Sequence, residues 1–204
     1  MTDRNGDSDP YQSLAESVRR LIDVTIRTEA GAAAVAAAKA NVDRAVEELS
    51  ADLMPGSFGV RTIVDEQPPA SGNVLIGVRN PVAPPLVIRR GADGAVFTEV
   101  TLGAAYEGPP GHVHGGVCAL ILDHVLGATA HQPGRPAYTG TLTLRYLRGT
   151  PLGPVRVEAH VDRIDGLKTF ARGHIADSGG ITVTAEGVFI FPKAAKERDD
   201  DRTR

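Results

Sequence analysis

Apolar positions along the chain fall into two textures. From Pro10 to about Leu49 they recur at helical spacing, with Leu14, Val18, Leu21, Ile22 and Ile26 on one stripe and Val35, Val42, Val46 and Leu49 on its continuation. Gly31 divides this run into two helices or sits within one; the alanines around it leave the choice open. Such a stripe must be covered, because helices in proteins owe most of their stability to packing. The rest of the domain or a second copy is the plain cover, and a lid or partner-binding role is the alternative. After a Pro- and Gly-rich stretch over 50–85, the texture becomes strand-like. Leu86–Arg90 and Ala95–Leu102 flank a hairpin turn at Ala92-Asp93-Gly94. Ala137–Leu147, Val155–Ile164, Lys168–Asp177 and Ile181–Phe191 follow, with Asp165-Gly166 and Ser178-Gly179-Gly180 as turns of an antiparallel meander.

Between the two groups of strands lies a short helix from about Gly115 to Ala130. Val117, Ala119, Leu120, Ile121, Leu122, Val125 and Leu126 surround its axis, which predicts a helix buried on all sides. The strands before and after it then have to wrap it. The predicted fold class is α+β: a hotdog fold, a curved antiparallel sheet around a buried central helix, with an N-terminal helical extension. Residues 1–9 read as disordered and 10–50 as the extension. Residues 51–79 read as a linker with short strands such as Val74–Val78, 80–192 as the hotdog domain, and 193–204 as a frayed charged tail.

Composition narrows the classes of function. With 204 residues and a net charge of −3, the chain offers no electrostatic case for nucleic-acid binding. One cysteine excludes an intramolecular disulfide and any zinc site built on several cysteines, and it suits a reducing cytosol. The N-terminus carries no signal-peptide pattern, and Ala30–Ala38 is too short to span a bilayer, so a cytoplasmic location and no membrane span are expected. Aromatics make up only 4% of the residues, which limits the area each core residue buries and predicts a partner subunit.

Chemistry concentrates between Glu107 and Thr139. Asp123 lies inside the apolar helix, where a carboxylate costs free energy unless paired. It is either a catalytic acid or a structural hydrogen-bond acceptor. His114-Gly115-Gly116 opens the same helix. Free N–H groups there could polarise a carbonyl oxygen, and alternatively the glycines serve only the helix start. His112, His114, Asp123, His124 and His131 show no ligand spacing of a metal site, so no metal or cofactor is expected. Cys118 reads as a core residue rather than a nucleophile. Arg145, Arg148, Arg156 and Arg163 are either phosphate-binding or solvated strand residues.

The run Gly108-Pro109-Pro110-Gly111-His112-Val113-His114-Gly115-Gly116-Val117-Cys118-Ala119-Leu120-Ile121-Leu122-Asp123 resembles the signature of hotdog acyl-CoA thioesterases of the His-Gly-Gly type, the phenylacetate-pathway branch. Asp123 follows His114 by nine positions as in that family, and Tyr138–Arg148 is similar to its next strand. The resemblance implies hydrolysis of an acyl-CoA thioester to free acid and coenzyme A. It implies Asp123 as general base or nucleophile and the amide of Gly116, with Gly115 or Val117, as oxyanion donor. It further implies Thr139 as a hydroxyl beside water or acid, and His114 near the thioester or pantetheine arm. It implies a homodimer or dimer of dimers in which acid and oxyanion donor come from different protomers. Some relatives carry Asn or Gln where this chain has Gly108, with Glu107 a candidate substitute. A hotdog hydratase or dehydratase and a non-catalytic acyl-CoA-binding protein are the alternatives.

Overall fold

Asp9 and Pro10 start the first helix. The Asp9 carboxylate accepts from the Tyr11 amide, and Pro10 supplies a helical φ where no amide donor is needed. In the computed structural model described here, residues 9–56, 71–92, 94–131 and 137–192 are described. The predicted disordered start and charged tail lie outside them, apart from Asp9. The chain divides into two compact units, one ending at Pro85 and the other beginning at Leu86.

In the first unit, α1 (Pro10–Arg27) and α2 (Ala32–Ser50) are separate helices. Thr28 and Gly31 both take extended backbone, so the break falls where the glycine marks it. Arg19 ties α1 to the segment after residue 70, donating to the carbonyls of Ala83, Gly77, Val78 and Asn80 at 3.0–3.3 Å. Ala15, Leu75 and Ala83 are buried in this unit, whereas α2 buries no residue. The predicted strand Val74–Val78 is a series of turns instead. The Asn73 side chain accepts from the amides of Leu75 and Ile76, and its carbonyl accepts from Gly77, so local bonds replace a ladder. Asn80–Pro85, expected in the second unit, belongs to the first, held by those Arg19 bonds. Among the described residues no helix is long and apolar enough to cross a membrane.

The second unit is one six-stranded antiparallel sheet with a helix on it. Its strands are β1 (Arg89–Arg90), β2 (Val96–Leu102), β3 (Tyr138–Tyr146), β4 (Gly153–Asp165), β5 (Lys168–Asp177) and β6 (Gly180–Ile190), in the order β1-β2-β4-β5-β6-β3. Only Arg89 and Arg90 of the predicted Leu86–Arg90 strand pair with β2. The sheet is built by alternation: Val155, Val157 and Ala159 of β4 and Val183 and Ala185 of β6 turn inward and are buried. They meet α3 (Gly115–Ala130), where Ile121, Leu122, Val125 and Leu126 are fully buried. Each such side chain contributes about 1.5–3 kcal/mol relative to exposure.

This α+β, hotdog-like arrangement matches the expected fold, with one correction to the central helix. The sheet covers one side of α3 and leaves the other open: Gly116 and Leu120 are exposed and Asp123 is half-buried. These positions lie three or four residues apart, on one helical face. An apolar sequence all round therefore does not mean cover all round within a single chain. The edge strand β3 is also largely exposed, with Tyr138 and Tyr146 66% and 52% accessible.

Candidate active site

The open face of α3 and the edge strand beside it carry the expected site residues. Asp123 is half-buried, and its Oδ1 accepts a 2.8 Å hydrogen bond from Thr139 Oγ1 at the start of β3. That bond occupies one carboxylate oxygen. At the other end of β3, Tyr146 Oη donates to the carbonyl of Gly115 at 2.8 Å. One strand thus contacts both ends of the helix face.

A regular strand would not do this. Thr139 and Tyr146 are seven residues apart, so simple alternation puts their side chains on opposite faces. The ladder with β6 has a register shift between Thr139 and Thr141, and it pairs Thr139 with Phe189 and Tyr146 with Val183. Phe189 and Val183 are six residues apart and both buried, hence on one face. The bulge at Gly140 turns Thr139 to the side that Tyr146 faces. Sequence reading missed Tyr146 for this reason; Gly140, an isolated glycine inside a strand run, was the signal that could have announced the bulge.

The helix start is built by a tight loop. Glu107 bridges Val113, the His114 amide donates to the Tyr106 carbonyl, and Glu107 Oε1 accepts from the Gly111 amide at 2.6 Å. Glu107 is therefore a loop staple. A methyl group at Gly108 would lie 2.7 Å from His114 Cα, so His114 fills the space a side chain there would need. His114 is the N-cap of α3: its Nδ1 accepts from the Gly116 amide at 3.0 Å. The Val117 amide is turned inward to the His114 carbonyl. Of the amides expected to meet an oxyanion, those of Gly116 and Val117 are thus engaged within the chain. The Gly115 amide finds no partner among the described residues. This shifts the candidate donor from Gly116 to Gly115.

Other candidates resolve by their surroundings. Cys118 is buried, donates to Thr150 Oγ1, and is pushed up in pKa chiefly by desolvation, so it stays a core thiol. Thr150 donates to Thr182, which donates to the Ile175 carbonyl, and this chain fastens α3 to the sheet. His124 is half-buried and held below its ordinary pKa by desolvation, partly offset by Asp123, so it is neutral at neutral pH. Arg148 is paired with Asp177, Arg156 with Glu99 and Glu158, and Arg163 lies over the Phe170 ring. Arg145 has no partner among the described residues. No group of three metal-ligating side chains occurs among the described residues.

Concavities of about 530 and 400 Å³ on the strand unit are lined by residues such as Glu99 and Asp177 or Thr143 and Glu186, and neither includes Asp123 or Gly115. Along α3, Gly115 and Asp123 are eight residues apart, roughly 12 Å of helix at 1.5 Å per residue. That separation exceeds the about 3–3.5 Å at which reacting groups meet directly.

The chain is similar to known proteins in sequence and in fold. The thioesterase superfamily matches residues 110–184. The crystal structure of a thioesterase superfamily protein superposes with a TM-score of 0.79 at 32% identity, over 93% of this chain and 94% of that one. Acyl-coenzyme A thioesterase THEM4 of Xenopus laevis is 34% identical over 92 residues, 45% of this chain and 41% of that protein. Acyl-coenzyme A thioesterase THEM5 of Homo sapiens is 30% identical over 91 residues, 43% of this chain and 37% of that protein. The chain therefore matches about two fifths of the length of these curated relatives.

Proposed function

We propose that this chain, which belongs to the thioesterase superfamily, hydrolyses an acyl-coenzyme A thioester to a free acid and coenzyme A. The observation that carries the reading is Asp123: a carboxylate in a predominantly apolar helix, on its open face, with one oxygen held by Thr139 and the other left for chemistry. Asp123 acts as general base on water or as the attacking nucleophile; both roles need one fixed and one free oxygen. As base, it draws a proton from water while the water oxygen bonds to the thioester carbon. The carbonyl oxygen gathers charge and is met by the Gly115 N–H. The C–S bond then breaks, and the sulfur leaves as thiolate and takes a proton.

The distance along α3 supports a homodimer in which Asp123 of one protomer faces Gly115 of the other across the open helix face. Exposed β3 supports the same partner, since an uncovered sheet edge offers unpaired backbone groups. The reading requires no metal, cofactor, nucleic acid or membrane, and the buried single cysteine suits a cytoplasmic location.

Free-thiol release from a panel of aliphatic and aryl acyl-CoA substrates tests the proposal. Wild-type protein is expected to turn over members of the panel. Asp123→Asn is expected to lose at least a thousandfold in kcat while keeping its circular dichroism and its size in solution. An undiminished rate in Asp123→Asn overturns the assignment.

A further inference from the structure

We propose that Tyr146 is a positioning residue for this reaction, acting with His114 as a two-ended clamp on the Gly115–Gly116 peptide. The inference rests on the thioesterase reading of the same site and adds a residue to it. The Gly115 carbonyl and the Gly116 N–H belong to one planar amide. Tyr146 Oη holds its oxygen at 2.8 Å, and His114 Nδ1 holds its N–H at 3.0 Å. Both ends of a single peptide are therefore fixed by side chains from different elements, β3 and the loop before α3.

The need for a clamp follows from the sequence. Two consecutive glycines at a helix start have the widest backbone freedom of any pair. A donor that must aim at a developing oxyanion gains from being held in place before the reaction. The Gly115 N–H lies one residue ahead of the clamped amide, so fixing that plane restricts where Gly115 can point its own N–H. The Tyr146 ring also lies against Gly115: a methyl there would sit 3.4 Å from its Cε1 and Oη. Desolvation pushes the Tyr146 phenol above its ordinary pKa, so it remains a hydrogen-bond donor at neutral pH.

β3 then serves both halves of the chemistry. Its first residues hold the acid through Thr139, and its last residue holds the oxyanion-donor loop through Tyr146. The bulge at Gly140 is what lets one strand do both.

Tyr146→Phe removes only the hydroxyl and is the direct test. Its kcat is expected to fall about three- to tenfold with KM changed less than twofold, the range of one neutral hydrogen bond. The backbone amide resonances of Gly115 and Gly116 are expected to shift, and their hydrogen exchange to quicken, with the melting temperature unchanged. His114→Asn, which keeps a capping acceptor, is expected to retain most activity, whereas His114→Ala loses it. Because both residues act on one amide, Tyr146→Phe combined with His114→Ala is expected to cost less than the product of the single effects. An unchanged kcat in Tyr146→Phe, a loss confined to KM, or unmoved glycine amide resonances overturns the clamp. If the wild-type protein releases no thiol from the panel, the thioesterase reading fails instead, and the glycine resonances still report on the clamp.

Discussion

Thr139 donates its hydroxyl to Asp123 across the gap between an edge strand and the central helix, at 2.8 Å. The bond joins two residues that lie sixteen positions apart in the chain. It fixes one oxygen of a carboxylate that would otherwise rotate on an open helix face.

Removing that hydroxyl tests how much the acid depends on being held. Hydrogen bonds to charged groups contribute about 1.5–3 kcal/mol. Thr139→Val, close in shape, is expected to lower kcat for acyl-CoA hydrolysis by about ten- to a hundredfold. Thr139→Ser keeps the donor and is expected to stay within about threefold of wild type. Steady-state thiol release on the two variants separates a lost hydrogen bond from a lost methyl group.

The space at Gly108 leads to a second expectation. A Cβ there would lie 2.7 Å from His114 Cα and 2.9 Å from its Cβ. Backbone and Cβ atoms cannot swing aside as a long side-chain end can. Gly108→Asn is expected to push His114 off Gly116 and lower kcat about tenfold or more. The readouts are turnover and the Gly116 amide resonance. A variant as active as wild type would show that His114 can yield without disturbing the helix start.

A third expectation concerns acid stability. Arg148 bonds to both oxygens of Asp177 and to the Gly180 carbonyl, tying the chain after β3 to the β5–β6 turn. The Arg148 hydrogen bonds, with help from the Gly179 amide and offset in part by desolvation, hold the Asp177 carboxyl down to about 2 against an ordinary 3.8. A carboxylate with a depressed folded-state pKa stabilises the fold above its unfolded pKa. That stabilisation is fully present above about pH 4–5 and is lost as pH falls from 3.8 toward 2. Arg148→Met is expected to unfold at a higher pH than wild type. The difference between the two proteins should shrink as pH drops through this window. Far-UV circular dichroism followed against pH, with denaturant midpoints at pH 7 and pH 3, checks both statements.

The elements themselves were legible because each carries its own period. The helical stripe through Leu14, Val18 and Leu21 and the alternation of Val155, Val157 and Ala159 can be read without a partner element. The Val74–Val78 strand failed because Asn73 captured the local amides, a side-chain effect that outweighed an apolar run. The site was legible in part. His114, Gly115, Gly116 and Asp123 lie on one short stretch, so the spacing by itself places them along one helix. Tyr146 was hidden because its place depends on a bulge in another strand. The use of the Gly116 amide by His114 was hidden because a histidine cap looks the same in sequence as a histidine facing substrate.

The last prediction concerns where the two halves of the site meet. Gly115 and Asp123 are roughly 12 Å apart along one helix, and the proposed homodimer pairs Gly115 of one chain with Asp123 of another. Gly115→Pro removes the N–H at the first helical position, where proline is tolerated. The extended backbone of His114 suits a residue before proline. Asp123→Asn removes the acid, so each variant alone is expected to be nearly inactive. Unfolding and refolding the two together forms mixed dimers, each with one site carrying both defects and one site carrying neither. With random pairing, half the dimers are mixed and half their sites are intact, so about a quarter of wild-type activity should return. If acid and donor served the same site from one chain, every site would carry a defect and mixing would restore nothing. Thiol release measured before and after refolding, with each variant refolded alone as control, decides between a shared site and a self-contained one.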